Sequence, residues 1–262
     1  MKYAFSTRTS LTPCTASRQR AGGDRAPRLL KTMLTTTEIL QTINMISKEN
    51  LDIRTVTMGI SLMDCISENA AETAKKVRDK VLKKAQNVVR TGEAISTKYG
   101  IPIINKRVSV TPVSLIAEAS KGHLEIAYAL DSVADEIGID FLGGYTALVD
   151  KGMSAYEREF ISSIPQVLAG TKKLCGSVNI GSTKSGINMY AVQLLGNIIK
   201  EAAHLTRKKD SIACSKFVAF CNAVPDNPFM AGAFHGSGEG ECVINVGVSG
   251  PGVVNGRLCR RA

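Results

Sequence analysis

The amino-acid sequence predicts an α/β fold built on a largely parallel sheet. Three observations carry that expectation. Amphipathic helical segments alternate with apolar strand candidates from about Met33 to Val254. Several of the six strand candidates are nearly continuous apolar runs, as strands covered on both faces must be. Neither an internal repeat nor a low-complexity linker divides this stretch, so it reads as one domain.

Thr35-Thr36-Thr37-Glu38 is a capping box, and Ile39, Leu40, Ile43 and Ile46 follow at helical spacing, predicting a helix to about Lys48. Ile53–Ile60 reads as a strand. From Asn69 to Lys98 the positions Ala70, Ala74, Val77, Val81, Ala85, Val88 and Ile95 trace one face of a single long helix, stopped by Gly100 and Pro102. Strand Pro102–Val110 leads to Thr111-Pro112, a cap and first helical position, and a short helix to Ala119. Helix Leu124–Ile137 ends at Gly138, and strand Ile139–Val149 is expected to bend at Gly143-Gly144. Ser154-Ala155-Tyr156-Glu157 is a second capping box, opening a helix expected to break near Pro165. Strand Lys173–Ile180 then feeds a Gly/Ser turn into a helix through Ile187, Ala191, Leu194, Leu195, Ile198 and Ala202. Strands Phe217–Val224 and Cys242–Val248 follow, separated by a glycine-rich loop.

The net charge of +10 over 262 residues resembles a nucleic-acid signal until its distribution is read. Residues 1–32 carry +6 and the last eight residues +3, leaving the core with 23 basic and 22 acidic side chains. A balanced core argues against a nucleic-acid partner. Residues 1–32 show no apolar period and read as a disordered basic leader, either an over-extended start or a transit peptide. With no secretory segment, no run of about 18 apolar residues and seven widely spaced cysteines, the expectation is a cytoplasmic chain with reduced thiols and no membrane contact.

Four stretches in order carry a resemblance: Asp52–Ile60, Asn105–Pro112, Asp140–Tyr145, and Phe234-His235-Gly236 through Val254. Together they resemble an uncharacterised prokaryotic family often labelled the "PFL family", after pyruvate formate-lyase. The resemblance implies a pyruvate formate-lyase-like barrel, in which two five-stranded parallel halves pack antiparallel, and no established activity. It also implies a homodimer when full length and a small ACT-domain protein as partner. Relatives of that family continue beyond the equivalent of Val254, so the expectation is a truncated first half of the barrel, residues 33–254, with an aberrant tail at 255–262. Radical chemistry is not implied: Arg107-Val108-Ser109 is followed by Val110-Thr111, without the Gly-Tyr of a glycyl-radical signature.

Strand-to-helix junctions are where parallel α/β folds gather ligands, so they supply the candidate sites. Gly181, Ser182, Thr183, Lys184, Ser185 and Gly186 would offer free N–H groups, hydroxyls and an ammonium to an anion at a helix N-terminus. His235, Glu239 and Glu241 bring an imidazole and two carboxylates into one loop, suited to general acid/base work. Asp64 and Cys65 follow the first strand, and Cys65 would be a nucleophile if His235 approached it. Asn105, Lys106 and Arg107 are further ligand-binding candidates, with Asn179 and Asn222 near other strand ends. No spacing specifies a metal site, and the cofactor is unknown. The functional expectation is a small-molecule enzyme or binding protein that takes an anionic ligand at the strand C-terminal ends. The alternative is a regulatory or scaffold protein acting with an ACT-domain partner.

Overall fold

The computed structural model describes residues 35–47, 51–229 and 231–250. The expected leader at 1–32 and tail at 255–262 lie outside them. Helix α1 (Thr36–Ser47) is closed by the expected capping box, with Glu38 N–H donating to Thr35 Oγ1 at 3.3 Å and Thr35 N–H to the Glu38 carboxylate at 2.8 Å. Strand β1 (Asp52–Ile60) follows.

The single long helix of the sequence reading is two helices, α2 (Ala70–Ala85) and α3 (Val88–Tyr99), parted at Gln86–Asn87. Their partners differ. Val77, Val81 and Ala85 are buried on α2, which packs against α5 (His123–Ile137), whereas α3 lies on β2 (Asn105–Val110), with Gly92 against the Lys106 stem. A continuous apolar period conceals such a break, because both pieces keep an inward stripe. Between β2 and α5, the short α4 (Val113–Ile116) begins after Pro112 without a side-chain cap; Thr111 Oγ1 instead accepts from Leu62 N–H at 3.0 Å.

Strand β3 (Phe141–Leu148) has the anticipated irregularity, a bulge between Gly143 and Tyr145, and Gly144 adopts φ +137°, a region open to glycine. Helix α6 (Ala155–Gly170) starts with the Ser154/Glu157 capping box and runs straight through Pro165. Phe160, Ile161, Ile164, Val167 and Leu168 are all fully buried on it, and that burial outweighs the backbone bond that proline removes.

Strand β4 (Leu174–Ser182) turns back into a two-residue β5 (Gly186–Ile187) before α7 (Met189–Leu205), capped by the Asn188 side chain. The small α8 (Ile212–Ser215) precedes β6 (Phe217–Cys221), and β7 (Cys242–Ser249) ends the described chain. Strands β1, β2, β3, β4 and β6 are parallel neighbours in that order, while β7 joins the outer side of β1 antiparallel. The mixed α/β architecture with a mostly parallel central sheet is thus as the sequence predicts.

The core lies between the sheet and its helices. Ile60, Val108, Val110, Leu142, Tyr145, Leu174 and Val178 point into it, with Tyr145 stacked on Phe160 at 4.4 Å between centroids. No helix among the described residues is long and apolar enough to cross a membrane.

Candidate functional site

Side chains alternate across a strand, so the residues between those core positions face the other way. Register aligns them into rows: Asn245, Thr57 and Arg107; Val243, Gly59, Ser109, Gly143 and Cys175; and, beyond the bulge, Thr146 with Ser177 and Leu148 with Asn179. This second face is markedly more polar than the core face. It carries hydroxyls, amides, one thiol and one guanidinium.

A strap from Asn222 to Glu241, joining β6 to β7, lies over the upper part of this face. Two glycines make room for it: a Cβ on Gly59 would sit 2.5 Å from His235 Nδ1, and one on Gly143 would collide with the Ala233 carbonyl. Phe234 and Ala233 are buried there, and Asn227 and Phe234 exchange backbone hydrogen bonds of 3.1 and 2.8 Å. Thr57 Oγ1 donates to the Pro228 carbonyl at 3.1 Å.

His235 is completely buried in this strap. Its N–H donates to the Val110 carbonyl at 2.9 Å, and its ring nitrogen Nε2 donates to the Gly240 carbonyl at 2.8 Å, since a carbonyl can only accept. Nδ1 faces Asp226 Oδ1 at 3.3 Å, close enough for an ion pair but poorly aligned for a hydrogen bond. Burial alone would raise the Asp226 pKa. The contact with His235, the Gly236 N–H at 3.2 Å and Asn245 outweigh it, holding the carboxyl below its ordinary range. With Nε2 bonded to Gly240, Nδ1 lying against Asp226 and no exposed surface, His235 is a clasp that seats the strap in this conformation. Asp226, the other half of the clasp, was missed by the sequence reading; an aspartate before Asn-Pro looks like a turn residue.

The other predicted residues disperse. Glu239 sits in the turn that closes on Gly236. Glu241 is exposed and paired with Lys84 at 3.0 Å, which holds its carboxyl below the usual range. Asp64 pairs with Lys80 at 2.5 Å, and the same lysine lies 3.7 Å from Glu241. Cys65 buries its side chain in the helix-side core, across the sheet from the His235 ring, and burial reinforced by the Asp64 charge pushes its thiol up to about 11. That is the opposite of what activates a nucleophile.

Gly181–Gly186 is a hairpin turn between β4 and β5, not the start of a helix. Its donors are largely spent. Thr183 N–H and Oγ1 both donate to Asn222 Oδ1, at 2.6 and 2.9 Å, and Ser185 N–H donates to Ser182 Oγ at 3.1 Å. Ser185 Oγ reaches Asp150 at 3.2 Å, a carboxylate that disfavours an anion beside Lys184. Asn179, with its amide nitrogen toward the Gly181 and Phe220 carbonyls at 3.2 Å, is likewise occupied within the protein. Lys106 lies on the helix side against Gly92, and its backbone N–H donates to Asp140 at 2.7 Å. Asn105 is half-buried at the start of β2, in register with Thr55.

Two predicted or neighbouring groups on β2 remain unspent. Ser109 Oγ is fully buried with no hydrogen-bond partner, and so is the Nε of Arg107. The Arg107 guanidinium is half-buried, lies 5.5 Å from the Phe141 ring centroid, and has its pKa lowered chiefly by burial. An unpartnered buried polar atom costs about 1–3 kcal/mol, so two on one strand face mark a place where acceptors are wanted. Among the described residues, no group of three or more His, Cys, Asp or Glu is placed to hold a metal ion.

Comparison with known proteins puts this chain among bacterial relatives. A UPF0210 protein of Desulforamulus reducens is 57% identical over 224 residues, covering 85% of this chain and 50% of the relative. A UPF0210 protein of Acetivibrio thermocellus is 56% identical over 228 residues, covering 86% and 50%. One from Listeria monocytogenes is 56% identical over 221 residues, covering 84% and 49%. The chain therefore spans about half the length of the curated relatives it matches. None of these names carries an activity or a pyruvate formate-lyase label. The family model "Uncharacterised ACR (DUF711)" matches residues 44–262, most of the chain, and on that match the chain belongs to the DUF711 family of uncharacterised proteins.

Proposed function

We propose that this chain carries the anion-binding part of a small-molecule enzyme or binding protein, and that the anion is held on the helix-free face of the sheet by Arg107. The unspent Arg107 Nε beside the unpartnered Ser109 hydroxyl carries this reading. Arginine presents a planar fork of donors that matches a carboxylate or phosphate edge to edge. Its partial exposure leaves it reachable, and Phe141 packed against it fixes the guanidinium plane, two residues along the same strand face from the Ser109 hydroxyl buried under the strap. The strap closes the upper end of this face over Gly59 and Gly143. The chemistry this arrangement supplies is charge neutralisation and orientation. His235, Glu241 and Asp64 have roles in holding structure together, so a general base is sought in the remainder of the full-length relatives.

The test is binding of formate, acetate, citrate and inorganic phosphate, followed by thermal shift and by chemical-shift changes at β2. Arg107→Gln is expected to weaken the best anion about tenfold or more, an energy of about 1.4 kcal/mol, while leaving the unfolding temperature of the free protein nearly unchanged. An anion that binds both forms equally would place the site elsewhere.

A further inference from the structure

The helix-covered side of the sheet, at the end where its parallel strands begin, holds a surface depression that has no part in the Arg107 site on the other face. The C-terminal turns of α6 and α7 border an open surface depression of about 400 Å³ there, in which His204, Arg207, Lys208 and Lys209 are exposed. Ala169 and Leu205 give it an apolar wall, and His204, Arg207, Lys208 and Lys209 supply its polar lining. Among the described residues, none of Arg207, Lys208 and Lys209 enters an ion pair. One carboxylate, Asp210, follows them directly in sequence, while the aspartates on α5 are already committed. Asp135 pairs with Lys172 and Lys173 at 3.2 and 3.3 Å, and Asp131 accepts from the backbone N–H groups of Lys172, Lys173 and Leu174.

A second observation comes from inside the protein. Lys216 is 5% exposed, and its ammonium donates to the carbonyls of Leu168 and Thr171 at 2.5 and 2.6 Å. Those two residues bracket Ala169, a residue of the pocket wall. Lysine in this position also neutralises the carbonyl end of α6, whose partial negative charge would otherwise repel an anion. One cation serves a helix end. Three further cations in a row after α7 exceed that need, and they line one side of the depression.

We propose that this pocket binds a small phosphate-bearing anion, with Arg207 forking onto phosphate oxygens and Lys208 and Lys209 neutralising the remaining charge. Several cations within one turn favour a diphosphate over a single carboxylate, because each added negative charge finds its own counter-charge.

Isothermal titration of the full chain with pyrophosphate tests this, with citrate as a polycarboxylate of similar charge. Wild type is expected to bind pyrophosphate at least about tenfold more tightly than citrate, with affinity falling as salt rises. The triple variant Arg207→Gln, Lys208→Gln, Lys209→Gln should lose about tenfold or more, Lys208→Glu alone should lose part of that, and Arg107→Gln should lose nothing. No binding to wild type, equal binding of citrate, or undiminished binding to either variant of the pocket would overturn the assignment. Circular dichroism of each variant separates lost binding from lost folding. Because Arg107→Gln and the triple variant report on opposite faces of the sheet, failure here leaves the Arg107 reading untouched, and the converse holds.

Discussion

At the scale of single residues, the informative groups are buried polar ones, because burial forces each of them to have a partner or to want one. Asp226 has its partners. Since they hold its folded pKa below the ordinary 3.8, its stabilising contribution is fully present above that value and is lost as pH falls through the folded pKa. Asp226→Asn is therefore expected to be less stable than wild type near neutral pH, and the gap between the two should narrow as the solution is acidified. Urea midpoints for the pair across an acid series measure this; a gap that stays constant with pH would mean that the carboxylate charge contributes nothing to holding His235. Ser109 and Arg107 are the contrasting case. Their unspent donors are a liability to the free fold, and a liability retained on a strand face is the physical basis for assigning them a ligand.

At the scale of elements, the strap and the sheet were shaped for each other. Gly59 on β1 has no room for a methyl group because the His235 ring occupies that space, whereas Gly238 at the tip of the strap has no atom within 4 Å of the corresponding position. Gly59→Ala is expected to destabilise by about 1–3 kcal/mol through displacement of the strap, while Gly238→Ala should change stability by about 0.5 kcal/mol or less. Chemical denaturation of the two variants distinguishes a seated strap from a loosely draped one, for which both substitutions would be equally mild. Helix α6 makes a related point about competing terms: a proline at its centre is tolerated because the flanking apolar residues are buried so completely.

At the scale of the whole molecule, the sheet ends on two edges unpaired among the described residues. On β7, Ile244, Val246 and Val248 remain partly exposed, as do Ile39, Leu40, Ile43 and Ile46 on α1. Exposed apolar rows of this kind are sites of association. The curated relatives are about twice as long as the stretch matched here, so the exposed row on β7 is a surface on which their unmatched half is expected to pack. Co-expression of this chain with the unmatched half of the Desulforamulus reducens relative should give a stable complex. Replacing Ile244 and Val246 by Lys should abolish the complex, and two halves that never co-purify would rule out this arrangement.

Much of the element pattern was legible in the chain, since capping boxes at Thr35 and Ser154, the glycine stop at Gly138 and the bulge at Gly143-Gly144 are local devices with local signatures. Local reading failed where two structures satisfy one pattern. A single apolar stripe served both α2 and α3, and a Gly/Ser run suited a hairpin as well as a helix entry. The site was legible only as a set of residue types. Arg107 could be named from sequence, but only the register of β2 against β1 and β3 sets it beside Thr57 and Phe141 and aligns Ser109 with Gly59 and Gly143. The setting of His235 was not legible, because its partners Asp226, Gly240 and Val110 converge from three segments of chain. The sequence by itself determined the alternation of helices and strands and the polar character of the strand ends. Which polar groups are spent on each other and which are left for a ligand was decided by tertiary structure alone, since hydrogen-bond satisfaction depends on three-dimensional neighbours that sequence spacing does not encode.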